Sequence, residues 1–185
     1  MQDYHEFLSE IVVSRDQLQQ RIAELGQAIT RDYRGEDVLL VCILRGGVLF
    51  LADLMRHIDL PINLDFMAVS SYGIGARQSS GQARITLDLN TDIHDRNVLL
   101  VEDIIDSGYT LRAVLDLLKT RTPKSLRTCV LLDKAERREV EVPIEYCGFV
   151  IPDKFVFGYG LDIDEYYRNL PFIGAVDPVK YQLSE

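Results

Sequence analysis

The run Val98-Leu99-Leu100-Val101-Glu102-Asp103-Ile104-Ile105-Asp106-Ser107-Gly108-Tyr109-Thr110-Leu111 decides the fold of this 185-residue chain. Four consecutive apolar β-formers, Val98 to Val101, read as a strand buried on both faces, as inside a parallel sheet. An acidic loop follows, with Glu102, Asp103 and then Asp106, and leads into the turn Ser107-Gly108-Tyr109-Thr110. From Leu111 the apolar period becomes 3.6, with Leu111, Val114, Leu115 and Leu118 on one face and an end near Pro123. In an open α/β sheet, a loop at this place lies where ligands bind, beyond the carboxyl ends of the strands.

The chemistry of the loop follows from its residue types. Ser107, Gly108 and Thr110 stand at a helix start, where unpaired N–H groups and the positive end of the dipole favour an anion such as phosphate. Gly108 permits φ > 0 and close approach of the backbone. Glu102 and Asp103 would repel phosphate, so they need another partner. A vicinal diol offers two donors to a pair of carboxylates. Phosphate at one end and diol at the other describe a ribose 5-phosphate, with Asp106 between them to act on whatever the sugar carries.

Outward from this stretch, the pattern repeats. Val38 to Leu44 is a second fully buried strand, which runs into Arg45-Gly46-Gly47 and a helix carrying Val48, Leu51, Ala52 and Met55. A cation and glycines at a helix start make a second anion site. Ser14 to Tyr33 reads as a helix with a Ser14/Gln17 capping box, a stripe of Leu18, Ile22, Leu25 and Ile29, and a stop at Gly35. Leu64–Ser70 and Arg84–Leu89 read as strands around a polar, Gly- and Ser-rich loop, Ser71 to Gln82. Leu126–Leu132 and Tyr146–Ile151 complete the strands, and Glu136 to Glu141 reads as an exposed charged run. The fold class is α/β, with a central, mostly parallel sheet flanked by helices.

Composition sets the outer limits. With 47% hydrophobic and 26% charged residues, the chain is ordinary for a globular domain, and its length fits one domain over 1–185. A net charge of −9 argues against general nucleic-acid binding. No apolar run is long enough for a membrane span, and the acidic start is not a signal peptide. Cys42, Cys129 and Cys147 have no metal or redox spacing and read as buried thiols of a reducing compartment, so the expected location is the cytoplasm. His5, His57 and His94 belong to no ligand motif.

The stretch Val101 to Leu111 resembles the phosphoribosyl diphosphate (PRPP) motif of type I phosphoribosyltransferases, and its Glu-Asp-Ile-Ile-Asp-Ser-Gly form resembles the hypoxanthine, or hypoxanthine-guanine, branch of bacteria. That resemblance extends from about Val38 to Val176 through four motifs in order. It implies a type I phosphoribosyltransferase fold with a hood drawn mainly from residues 133–185 and a flexible catalytic loop holding Ser71 and Tyr72. It implies that Glu102, Asp103, Asp106, Ser107, Gly108, Tyr109 and Thr110 bind the 5′-phosphate and ribose, with Asp106 catalytic. Arg45, Gly46 and Arg168 would contact pyrophosphate. Lys134 would meet the exocyclic oxygen of a 6-oxopurine, Phe155 would stack on the base, and Val156 would offer backbone groups to its edge. Asp162 would lie near the purine and the metal, and Glu102 and Asp103 would hold the ribose hydroxyls directly or through Mg2+.

The expected activity is purine salvage: 5-phosphoribosyl transfer from PRPP to hypoxanthine or guanine, giving IMP or GMP and pyrophosphate, in a homodimer or homotetramer. The alternatives are a xanthine-guanine transferase, or an RNA-binding regulator on the same fold.

Overall fold

The structure is a computed structural model, which describes residues 2–70 and 84–181. Its elements in order are α1 (Tyr4–Phe7), β1 (Leu8–Val13), α2 (Arg15–Asp32), β2 (Val38–Leu44), α3 (Val48–Leu54), β3 (Ile62–Ser70), β4 (Arg84–Leu87), β5 (Asn97–Ile105), α4 (Tyr109–Lys119), β6 (Ser125–Asp133), β7 (Tyr146–Val150), β8 (Val156–Phe157) and β9 (Ile173–Val176). Six strands form one sheet in the order β4-β3-β2-β5-β6-β7. All neighbours are parallel except the edge strand β4, which runs antiparallel to β3.

The unbroken apolar runs of β2 and β5 are explained by what covers them. Leu40, Cys42, Leu99 and Val101 face one side, against Leu18, Ile22, Leu25 and Ile29 of α2 and Leu51 and Leu54 of α3. Leu39, Val41, Val98 and Leu100 face the other, against Leu111, Val114, Leu115 and Leu118 of α4. Burying each such side chain contributes roughly 1.5–3 kcal/mol. The α2 capping box is present in both directions: Gln17 N–H donates to Ser14 Oγ at 3.3 Å, and Ser14 N–H to Gln17 Oε1 at 2.9 Å. Cys42, Cys129 and Cys147 are free thiols, the first two buried.

Two sequence expectations are corrected. β5 does not end at Val101. Its ladder with β6 continues through Glu102↔Val130, Ile104↔Leu132 and Ile105↔Asp133, so the paired carboxylates sit in the strand and only Asp106 to Gly108 form the loop. Helix α4 begins at Tyr109, two residues before Leu111, because Gly108 at φ 92° turns the chain at its N-cap.

A second, three-stranded sheet of order β1-β9-β8 forms the hood. Its small core is Phe7, Phe157 and Ile163, with Tyr167 and Tyr181 packed on it. Nothing in the sequence pattern marks β1. Two register shifts against β9 break the alternation that would have shown it. Among the described residues, no helix is long and apolar enough to cross a membrane.

Chain direction locates the site. From β2 the chain passes to β3 on one side, and from β5 it passes to β6 on the other, so the carboxyl ends of β2 and β5 form the switch point where α/β sheets bind ligands.

Candidate active site

At the switch point the Arg45-Gly46-Gly47 turn lies against β5. A Cβ on Gly46 would overlap the Asp103 carboxylate, and one on Gly160 would overlap the Gly46 carbonyl. Gly160 also has φ +98°, so glycine is required there twice over. The hood loop, the β2 turn and the end of β5 are therefore in direct contact.

Between them and α4 opens a cleft of about 680 Å³, lined by Glu102, Asp103, Asp106, Ser107, Gly108 and Thr110 from the central stretch. Lys134, Phe155, Val156 and Asp162 line it as well. The structure thus brings together ten of the residues singled out in the sequence. Tyr109 opens α4 and is 37% exposed, but its side chain does not line this cleft. Arg45 and Arg168 lie outside the cleft lining, joined to the site through Glu165 and Asp162. Ser71 and Tyr72, with the rest of the expected catalytic loop to Gln82, lie outside the described residues.

The Asp106–Gly108 loop is braced from behind. Glu139 and Val140 N–H groups donate to the Ser107 carbonyl at 3.0 and 3.2 Å, and a Cβ on Gly108 would meet Arg138 and Val140. Arg138 in turn pairs with Asp133 at the end of β6. The run Glu136–Glu141 is exposed at Glu136, Arg137, Glu139 and Glu141, as expected, and its backbone also backs this loop. Arg137 is its functional surprise: its Nε lies 2.7 Å from Asp106 Oδ1, and its Nη1 lies 3.4 Å from Asp153 Oδ2. Asp106 first, then Asp153, hold the guanidinium firmly charged. Lys134 and Arg137 are three apart across a 3-10 turn, Ala135–Arg137, which places such residues on one side, but the turn shows only in the structure.

Lys134 emerges from β6 only 7% exposed, with Nζ 3.6 Å from Asp153 Oδ1. Opposite in character, Phe155 is 58% exposed and borders the cleft, whereas Phe157 is fully buried in the hood core. Between them, Val156 pairs with Ala175 while Val176 N–H donates to the Phe155 carbonyl. That register makes Val156 a non-hydrogen-bonded position on the edge strand, its own N–H and C=O directed away from β9.

Glu102 and Asp103 are partly buried where they line the cleft. Burial pushes Glu102 well above the usual carboxylate range, and the Asp103 charge beside it pushes further. Burial also raises Asp103, against the lowering effects of its hydrogen bonds with Glu102 and the Ile104 N–H. Glu102 Oε2 is buried with no hydrogen-bond partner. Because both folded-state values lie above the unfolded ones, the pair favours folding below about pH 4 and that contribution is lost as pH rises through the folded values. Glu102→Gln should therefore raise Tm, by a few degrees at pH 8 and by much less at pH 5, as read by calorimetry. A lower Tm at pH 8 would refute a strained pair.

These oxygen donors suit a hard cation completed by substrate oxygens, the usual arrangement for Mg2+, and Glu102 Oε2 is an acceptor still to be satisfied. Among the described residues no group of three or more His, Cys, Asp or Glu forms a ready-made metal site.

A family model described as phosphoribosyl transferase domain matches residues 14–164 of the chain. The chain belongs to the phosphoribosyltransferase family. It is 50% identical over 181 residues to a hypoxanthine-guanine phosphoribosyltransferase of Mycobacterium tuberculosis, covering 95% of this chain and 89% of that one. It is 47% identical to the bifunctional protein TilS/HprT of Listeria monocytogenes over 96% of its own length, but spans only 27% of that longer relative. Among solved structures, a hypoxanthine phosphoribosyltransferase of Staphylococcus aureus superimposes with a TM-score of 0.91, at 42% identity and with 97% of each chain covered.

Proposed function

We propose that this protein transfers the 5-phosphoribosyl group of PRPP to hypoxanthine, and to guanine, releasing IMP or GMP and pyrophosphate. One observation carries the reading: a helix start, the Asp106 carboxylate, a buried lysine and an exposed aromatic ring share one cleft. The names of the family relatives above supply the substrate class.

Each part has a physical task. The Ser107–Thr110 turn holds the 5′-phosphate with backbone N–H groups at the start of α4. Glu102 and Asp103 accept the ribose hydroxyls, which ends the burial cost of their charge. Phe155 stacks on the purine, Val156 meets its edge with backbone groups, and Lys134 donates to O6. In the reaction the bond from C1′ to pyrophosphate breaks and the bond from C1′ to N9 forms, while Asp106 takes the proton that the base releases at N7. Arg45, the Gly46 turn and Arg168 receive the charge that collects on the leaving pyrophosphate. Magnesium, held by Asp162 and by Glu102 and Asp103 directly or through water, would neutralise part of that charge.

The test is direct. Protein given hypoxanthine, PRPP and Mg2+ should form IMP and pyrophosphate in equal amounts, and EDTA should abolish the reaction. Absence of IMP, with RNA retarded in a gel shift instead, would replace the enzyme with a regulator on the same fold.

A further inference from the structure

Arg45 and Arg168 share one carboxylate. Glu165 Oε1 accepts from Arg45 Nη2 at 2.9 Å and its Oε2 lies 2.8 Å from Arg45 Nη1, a two-pronged pair. The same Oε2 lies 3.2 Å from Arg168 Nη2, and that nitrogen also lies 2.8 Å from Asp162 Oδ1. Arg168 Nη1 donates to the Gly160 carbonyl at 2.8 Å. The loop that delivers Glu165 is conformationally expensive: Asp164, Glu165 and Tyr167 have φ of 50°, 73° and 69°, values that residues with a side chain rarely adopt. Its backbone is pinned by a Glu165 N–H bond to Asp162 Oδ2 at 2.9 Å. Two oxygens of a carboxylate forked onto one guanidinium, with a second arginine alongside, are what two oxygens of a phosphate group would present there.

We propose that Glu165 competes with pyrophosphate for Arg45 and Arg168, a positioning residue that keeps the two guanidiniums together and hastens pyrophosphate release by taking its place. The inference rests on the pyrophosphate role given to these arginines above. Charge favours exchange in both directions. The Glu165 and Arg45 side chains are 56% and 69% exposed, so water screens their attraction and a more highly charged anion displaces the monoanionic carboxylate. Once pyrophosphate begins to leave, the tethered carboxylate is already within reach of both cations.

The experiment measures Mg2+-pyrophosphate binding by calorimetry and its release by stopped flow, for wild type and Glu165→Gln, with IMP binding as a control on the phosphate loop. Glu165→Gln should hold pyrophosphate about 3- to 10-fold tighter and release it correspondingly more slowly, a scale set by the modest strength of exposed ion pairs. IMP affinity should not change. Glu165→Asp keeps the loop's charge but is one methylene too short to span both arginines, so it should shift in the same direction and serves if the glutamine variant folds poorly. Equal or weaker pyrophosphate binding in these variants, with IMP binding intact, would reduce Glu165 to a strut of the loop. Wild type that binds IMP and not pyrophosphate would overturn the role of the arginines themselves, and this inference with it.

Discussion

Asp106→Asn is expected to lower kcat by about 10²–10⁴-fold, the usual contribution of a general acid–base group. The substitution keeps size and keeps an oxygen that can accept from Arg137 Nε, so the 2.7 Å contact and the loop can persist. What it removes is the capacity to take a proton. In the proposed function the 5′-phosphate contacts come from the backbone around Gly108 and the start of α4, and these do not pass through the Asp106 side chain. PRPP affinity should therefore change by far less than turnover. Steady-state kinetics with calorimetric PRPP binding separate the two effects. Loss of PRPP binding with turnover per bound substrate intact would make Asp106 a ligand-binding residue instead.

Base choice should show the second large effect. Lys134 carries three donors and no acceptor, and at 7% exposure its ammonium has little access to water. Among the described residues its ion-pair partner is Asp153, 3.6 Å away, which leaves donor capacity for a 6-oxo group. Adenine presents a 6-amino group there, so two donors would face each other out of water. A site built around one hydrogen bond can reject a mismatched analogue by about 10⁴-fold. Hypoxanthine and guanine should be turned over, and adenine should be slower in kcat/KM by roughly that factor. Initial rates for each base at saturating PRPP and Mg2+ decide it. Adenine within tenfold of hypoxanthine would remove Lys134 from base recognition.

The parallel strands were legible because helices cover both faces of the sheet. Val38–Leu44 and Val98–Val101 need no polar side chain, and such runs stand out from their surroundings. The cleft residues Glu102 to Thr110 were legible because a glycine turn and acceptors cluster in one local stretch. The partners of those residues were not. Arg137 meets Asp106, Asp153 meets Lys134, and Glu165 meets Arg45 across gaps in sequence that no local period records. Phe155 and Phe157 are two apart, so strand alternation would put both rings on one face, yet Phe155 lies just before β8 and is exposed while Phe157 is buried.

The hood sheet also bears on how the protein is made. β1 pairs with β9, and Ser9 Oγ donates to the Ala175 carbonyl across 166 residues of chain. Phe7 packs on Phe157 in the same small core. During synthesis β1 must wait for β9, while the segments for β2 to β7 emerge in between. Pairing across so long a separation closes late, because loop entropy must be met before the contacts form. The edge strand proposed to meet the base thus belongs to a sheet that closes only after the segments of the larger sheet have been made.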